Sequence, residues 1–164
     1  MGGVKDVAEL VRALEEREIS WCMIGGLAVN HWAEEPMATA YVDLVIASEK
    51  VEQAVSALEE LGFKSERHEW SVNLKGESKV SIQISTEDFY HEFPTRSVPA
   101  DVHGILMRVA SLEDTLAGKI AACSDSTRRP SKRQKDLADI SRLLEAHPQI
   151  KTSIPPEILS RLES

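Results

Sequence analysis

A mixed α/β (α+β) fold, a β-sheet flanked by helices and followed by a helical C-terminal third, is what the order of hydrophobic periodicities predicts. Three observations carry it: helical and strand patterns alternate up to Gly62, strand-like hairpins fill 63–109, and from Ser111 the pattern is helical. The expected organisation is a core over 1–110 with C-terminal helices over 111–164 packed on it as one continuous domain.

The elements follow in order. Residues 4–17 place Val7, Leu10, Val11 and Leu14 on one helical face, with charged residues between them. Ile19 to Ile24 is short and rich in strand formers, and it ends at Gly25-Gly26. Leu27 to Ala33 reads as a short helix stopped by Glu34-Glu35-Pro36, because the residue before proline is pushed out of the helical region. Ala40 to Ala47 reads as a strand, in which residues 41, 43 and 45 share one face. A helix over 49–61, capped by Ser48, carries Val51, Ala54, Val55, Leu58 and Leu61 inward and stops at Gly62. Strands are expected from Phe63, over Trp70–Leu74 and over Lys79–Ser85, where Val80, Ile82 and Ile84 oppose Ser81, Gln83 and Ser85. Residues 86–99 read as a loop or irregular turn that lays Phe89, Tyr90 and Phe93 over one end of the sheet. Val98, Val102 and Ile105–Val109 supply one or two short edge strands around Gly104. Ser111 and Asp114 form a capping box for a helix to about Cys123, Ser131 opens a second helix reaching His147-Pro148, and Pro155-Pro156-Glu157 opens a last short one.

Composition narrows the class. At 164 residues, 42% hydrophobic and 28% charged, the chain can bury a core without metal or disulfide. Nineteen basic against twenty-seven acidic side chains give a net charge of -8, so bulk electrostatics repel a nucleic-acid backbone. No apolar run is long enough for a transmembrane helix and no leader precedes the first helix, so a cytoplasmic protein without membrane contact is expected. Cys22 and Cys123 read as buried thiols in a reducing compartment.

Chemistry concentrates in two places. A strand that runs into Gly25-Gly26 and then a helix presents free backbone N–H groups, which can hold phosphate or simply make a tight turn. Asp43, inside Tyr41-Val42-Asp43-Leu44-Val45-Ile46, is either a ligand or a strand-end residue that reaches solvent. The second place is the basic run Arg128, Arg129, Lys132, Arg133 and Lys135, which either neutralises a triphosphate or forms a solvated face. Lys119, beside Gly118, stands on the preceding helix. The histidines His31, His68, His91, His103 and His147 make no zinc spacing, and no hydrolase elbow or Walker loop is present.

Ile24-Gly25-Gly26-Leu27-Ala28 and Met37-Ala38-Thr39-Ala40-Tyr41-Val42-Asp43-Leu44 resemble the nucleotidyltransferase superfamily, in particular the minimal nucleotidyltransferases and the AbiEii-like group. There a glycine pair is followed by R-x-T-x-D-[IV]-D-L. Ser111-Leu112-Glu113-Asp114-Thr115-Leu116-Ala117-Gly118-Lys119 is similar to the family's S-L-E-D-L-x-x-x-K helix start. Arg128, Lys132 and Lys135-Asp136-Leu137-Ala138-Asp139-Ile140 are similar to its R-x-K-x-x-K-D-x-x-D-I run, so the likeness spans about residues 5–146.

The resemblance implies a nucleotidyltransferase-like mixed sheet. Two magnesium ions on three strand carboxylates would carry a nucleoside triphosphate there and activate an acceptor hydroxyl. Asp43 matches the second acid and is the catalytic and metal-binding position; Gly25, Gly26, Thr39, Lys119, Arg128 and Lys132 are the nucleotide-binding positions. The first acid, however, is replaced by Tyr41, the arginine by Met37, and the third acid falls among Ser81 and Gln83. The resulting expectation is a catalytically impaired protein that keeps nucleotide or partner binding, as a sensor, an antitoxin-like module or a partner subunit. The alternative is an active magnesium-dependent transferase moving a nucleotidyl group to a protein, RNA or small-molecule hydroxyl, with carboxylates supplied by Glu34, Glu35, Glu87, Asp88 or Asp101. Magnesium and a nucleoside triphosphate are the expected cofactors, with no zinc, haem or flavin. A nucleotide ligand and a protein partner or second copy of the chain are the expected partners, and nucleic acid is disfavoured by the charge.

Overall fold

The computed structural model describes residues 2–33, 43–76, 81–102 and 104–162. The chain divides into two compact units, one of Met1–Ile24 and Ala38–Ser111, the other of Gly25–Met37 and Leu112–Ser164. Among the described residues no helix is long and apolar enough to cross a membrane.

The first unit is a seven-stranded mixed sheet with two helices. Its elements are α1 (Gly2–Glu16), β1 (Trp21–Ile24), β2 (Asp43–Ser48), α3 (Val51–Glu60), β3 (Lys64–Arg67), β4 (Ser71–Lys75), β5 (Ser81–Ser85), β6 (Val98–Val102) and β7 (Ile105–Val109), α2 belonging to the second unit. The strands lie in the order β3-β4-β5-β2-β1-β7-β6. β2 is antiparallel to β1 and parallel to β5, and β1 is parallel to β7.

Burial explains the topology. All four residues of β1 are buried, which is the signature of an inner strand covered on both faces. The register sets Cys22 against Ala47 and Ile24 against Val45. These four share a face with Phe93, Tyr90 and Ala110, so the turn 93–96 seals that side of the sheet. Alternation sends Trp21, Met23 and Ile46 to the other face, where α3 packs on β2 and α1 packs on α3.

The second unit is helical: α2 (Gly26–Trp32), α4 (Leu112–Ser124), α5 (Pro130–Ala146), a 3-10 turn (Pro148–Ser153) and α6 (Pro156–Leu162). Val29, Leu112, Leu116, Cys123, Ile140, Leu143, Ile150 and Ile158 close its core. The Arg133 Nε donates to the Cys123 carbonyl (3.0 Å) at the end of α4, and the His147 Nε2 meets the Trp32 carbonyl at 2.7 Å.

Within that core lies a charged cluster. Asp136 and Asp139 have side chains only 1% and 4% exposed, yet both are matched by cations. Lys119 Nζ reaches Asp136 Oδ1 at 3.2 Å and Asp139 Oδ2 at 3.0 Å. Arg128 Nε donates to Asp136 Oδ2 at 2.7 Å, while Arg142 bridges Asp139 (2.9 Å) to the Asn30 Oδ1 of α2 (2.7 Å). Buried carboxylates are tolerable only when so compensated.

Several boundaries differ from the expected ones. Ser48 is the last residue of β2, not a helix cap: its Oγ donates to the Ser20 carbonyl (2.6 Å) and accepts the Lys50 N–H (3.1 Å), so α3 begins at Val51. α5 begins one residue before Ser131, with Pro130 in its first turn, where the missing N–H costs nothing. β7 is not an edge strand, because the parallel pairing with β1 places it inside and leaves only β6 at that edge. The segment 86–99 contains two 3-10 turns, Asp88–Tyr90 and Phe93–Arg96. Residues 40–42 and 79–80 of the expected strands lie outside the described residues.

Removing one side of the charged cluster leaves uncompensated cations in the core. Asp136→Ala is expected to lower the unfolding free energy by about 3 kcal/mol or more, read by urea denaturation. A loss below about 1 kcal/mol, the usual worth of an exposed pair, would refute that role.

Candidate functional site

Asp43 is the first residue of β2, and its neighbours follow from the sheet register. Across β5 it pairs with Ser81, Ser81 pairs with Lys75 of β4, and Lys75 with Lys64 of β3. The next row on that face runs Val45, Gln83, Asn73, Glu66. The strand beside Asp43 therefore offers a hydroxyl and an amide, and the same row continues on the next two strands with two lysines. Lys64 and Lys75 are exposed and carry no ion pair among the described residues, and nothing in the sequence alone places them level with Asp43.

The acids considered as replacements are remote where they are described. β2 and β5 run parallel, and Glu87 and Asp88 follow the carboxyl end of β5, while Asp43 pairs with its first residue. At the usual strand rise that separation exceeds about 13 Å. Asp101 lies on β6, three strands from β2, roughly 14 Å at the ordinary spacing, and its Oδ1 accepts the Gly104 N–H at 2.9 Å. Glu34 and Glu35 lie outside the described residues, as do Met37, Thr39 and Tyr41. Among the described residues no group of three or more His, Cys, Asp or Glu is arranged to hold a metal ion.

In the second unit the glycine pair has a specific geometry. Gly25 adopts φ 74°, ψ -148°, a conformation that a side chain would strain, and its carbonyl accepts the Val29 N–H at 3.1 Å. A Cβ built on Gly26 would lie 3.9 Å from the Lys135 Nζ, so that ammonium stands directly beside the turn. Lys135 was visible only as one member of a basic run; its place beside Gly26 requires the packing of α2 on α5.

The remaining cations divide by use. Lys119 and Arg128 are committed to Asp136 and Asp139, and Arg133 to the end of α4. Lys132 is exposed, and its ammonium has no ion-pair partner among the described residues. Burial lowers the His31 imidazole from its ordinary value, favouring the neutral ring, and burial is the main cause that raises the Cys123 thiol. Both cysteines are buried, and neither is in a disulfide.

Comparison with known proteins gives the fold a place. The chain is similar to the structure of ANT(2")-Ia in complex with adenylyl-2"-tobramycin, with TM-score 0.67 and 15% identity over 98% of this chain and 99% of that one. It is similar to the lincosamide antibiotic adenylyltransferase LnuA, lincomycin-bound, with TM-score 0.56 and 14% identity over 85% and 96%. An antigenic nucleotidyltransferase-like protein from Paracoccidioides brasiliensis matches with TM-score 0.54 and 16% identity over 99% and 93%. At these identities the likeness establishes the architecture alone. No curated protein matches the chain. The family described as nucleotidyl transferase AbiEii toxin, type IV toxin–antitoxin system, matches residues 27–162, and with most of the chain inside that match the protein belongs to it.

Proposed function

We propose that this chain is a nucleotidyltransferase-fold protein that binds the phosphates of a nucleoside triphosphate, or a partner, and turns the nucleotide over slowly or not at all. The observation that carries this reading is the register of β2 on β5, which pairs Asp43 with Ser81 and Val45 with Gln83. The family pattern wants carboxylates at the position of Tyr41 and at one of 81 or 83; this chain has a phenol and neutral groups.

Two magnesium ions bring four positive charges into one place, and hard cations of this kind need anionic oxygen ligands or substrate phosphates. Asp43 with a hydroxyl and an amide does not fit a metal pair, and no step is derived through one. Each carboxylate withdrawn from such a site removes several kilocalories of transition-state stabilisation. Two withdrawn carboxylates lower the rate by several decades.

Anion binding has its own support. Gly25 and Gly26 turn their backbone next to the Lys135 ammonium, and a cation beside the backbone of a helix start suits phosphate. In the other unit Lys75 and Lys64 continue the Asp43 row, so the charge there favours anions over metal ions. Lys119 and Arg128 act on this reading by holding α4 and α5 together, and Lys132 is the remaining cation of the run with an uncommitted ammonium. Thr39 completes the proposed set from outside the described residues.

Family membership favours a second reading, an active magnesium-dependent transferase acting on a protein, RNA or small-molecule hydroxyl. The adenylyltransferases of similar fold keep it in view.

Calorimetric titration with the four nucleoside triphosphates separates the two. Binding of at least one of them is expected without magnesium, with no pyrophosphate release. Pyrophosphate release that requires magnesium and vanishes in Asp43→Asn would establish the active reading instead. Lys135→Met is expected to weaken triphosphate affinity roughly tenfold, the worth of one charge-assisted hydrogen bond, without changing the melting temperature. An unchanged affinity would remove Lys135 from the phosphate site.

A further inference from the structure

A cavity lies in the first unit, at the end of the β2–β5 pair opposite Asp43. Its volume is about 380 Å³, within the range of small-ligand sites, and it opens where the last residues of both strands meet the first turn of α3 and the turn 88–91. Crevices beyond the carboxyl ends of adjacent parallel strands are where α/β sheets take ligands, because the chain leaves the sheet there and exposes its loops.

The lining fixes the class of ligand. Ala47, Val51 and Tyr90 give it apolar walls. Glu49, Glu87 and Asp88 stand around them, and among the described residues none of the three carboxylates has an ion-pair or hydrogen-bond partner. Glu52, also in the lining, is taken by Arg67, which holds it through two bonds of 2.6 and 2.8 Å. Lys50 is the lysine of the lining. With the partial positive charge at the start of α3, about half a unit, the cavity keeps an excess of roughly one to two negative charges.

An anion is thus disfavoured despite the helix start. A bare divalent ion is disfavoured too, since these acids make no ligand group for a metal among the described residues. What matches carboxylates and apolar wall within one cavity is a chain of methylenes bearing ammonium groups. The Tyr90 ring strengthens the match: it lines the cavity, and ring faces attract ammonium ions. We propose that this cavity binds a linear aliphatic polyamine, the methylenes lying on Val51 and Tyr90 and the ammonium groups on Glu49, Glu87 and Asp88. The site is independent of any nucleotide, and its test does not touch Asp43, Gly25 or Lys135.

Spermidine, titrated calorimetrically into the full chain, is the probe. Because a chain of net charge -8 attracts any polycation, the controls decide the outcome. Saturable binding at one site is expected, weakened at least tenfold in Glu87→Gln/Asp88→Asn and unchanged in Glu145→Gln/Glu157→Gln, which removes the same charge from α5 and α6. Both pairs are exposed, so the folds should survive, and Gln53→Trp, which narrows the cavity without changing charge, should weaken binding as well. The Tyr90 ring resonances should shift with spermidine and stay in place with inorganic phosphate. Equal loss in both charge variants, no saturable binding, or indifference to Gln53→Trp would each overturn the proposal.

Discussion

The position of β2 between two partners of opposite sense constrains everything that can happen at Asp43. Antiparallel pairing with β1 and parallel pairing with β5 fix its register from both sides, with Ile24 level with Val45 and Asp43 level with Ser81. A strand so held cannot slip by one residue without sending Ile46 and Val45 to exchange faces, which would expose one side of the core. The row in which Asp43 stands is therefore set by the backbone register of the sheet. Its composition, one acid followed by serine and two lysines, is a property of the fold and does not depend on side-chain rearrangement.

A similar economy governs the cations of the second unit. A run of five basic residues in an acidic chain invites the reading of a ligand site, but a buried carboxylate first requires a cation to compensate the water it has lost. Asp136 and Asp139 take up Lys119, Arg128 and Arg142, and the last of these carries the network to Asn30 on α2. Sequestering those charges holds α2, α4 and α5 in register, and that register brings the Lys135 ammonium against Gly26. The structural cations and the cation beside Gly26 belong to one arrangement in which the first set positions the second.

This division marks what the sequence could reveal. Helical and strand periodicity is a local property, so α1, β1, α3 and the C-terminal helices were legible to within a few residues, as was the α/β class with its helical last third. Phe93 was legible as an aromatic over the sheet because a large apolar ring near two prolines must be buried somewhere. The strand order was not legible: that β7 lies inside beside β1, and that β5 crosses to β2, depends on pairings between residues far apart in the chain. Nor was the role of Ser48, whose hydroxyl satisfies a strand carbonyl and a loop amide where a helix cap was expected. Asp136 and Asp139 stand within a motif, but only packing distinguishes a buried carboxylate from one on a solvated helix. Lys64 and Lys75 became relevant to Asp43 only through the register of four strands.

The two ends of the β2–β5 pair now differ in sign. At the start of the strands Asp43 is in register with a serine and two lysines; at their carboxyl ends four carboxylates, one of them paired with Arg67, line a cavity with one lysine among them. The difference comes from the side chains and is open to change by single substitutions. The separation, more than about 13 Å along the strands, exceeds the screening length at physiological ionic strength, and each end therefore selects its ligand by its own local charge. An anion held at one end does not electrostatically recruit a cation to the other. Any coupling between the two ends has to travel through the packing of β2 itself, whose inner residues Ile46 and Ala47 are buried and have little freedom to transmit it.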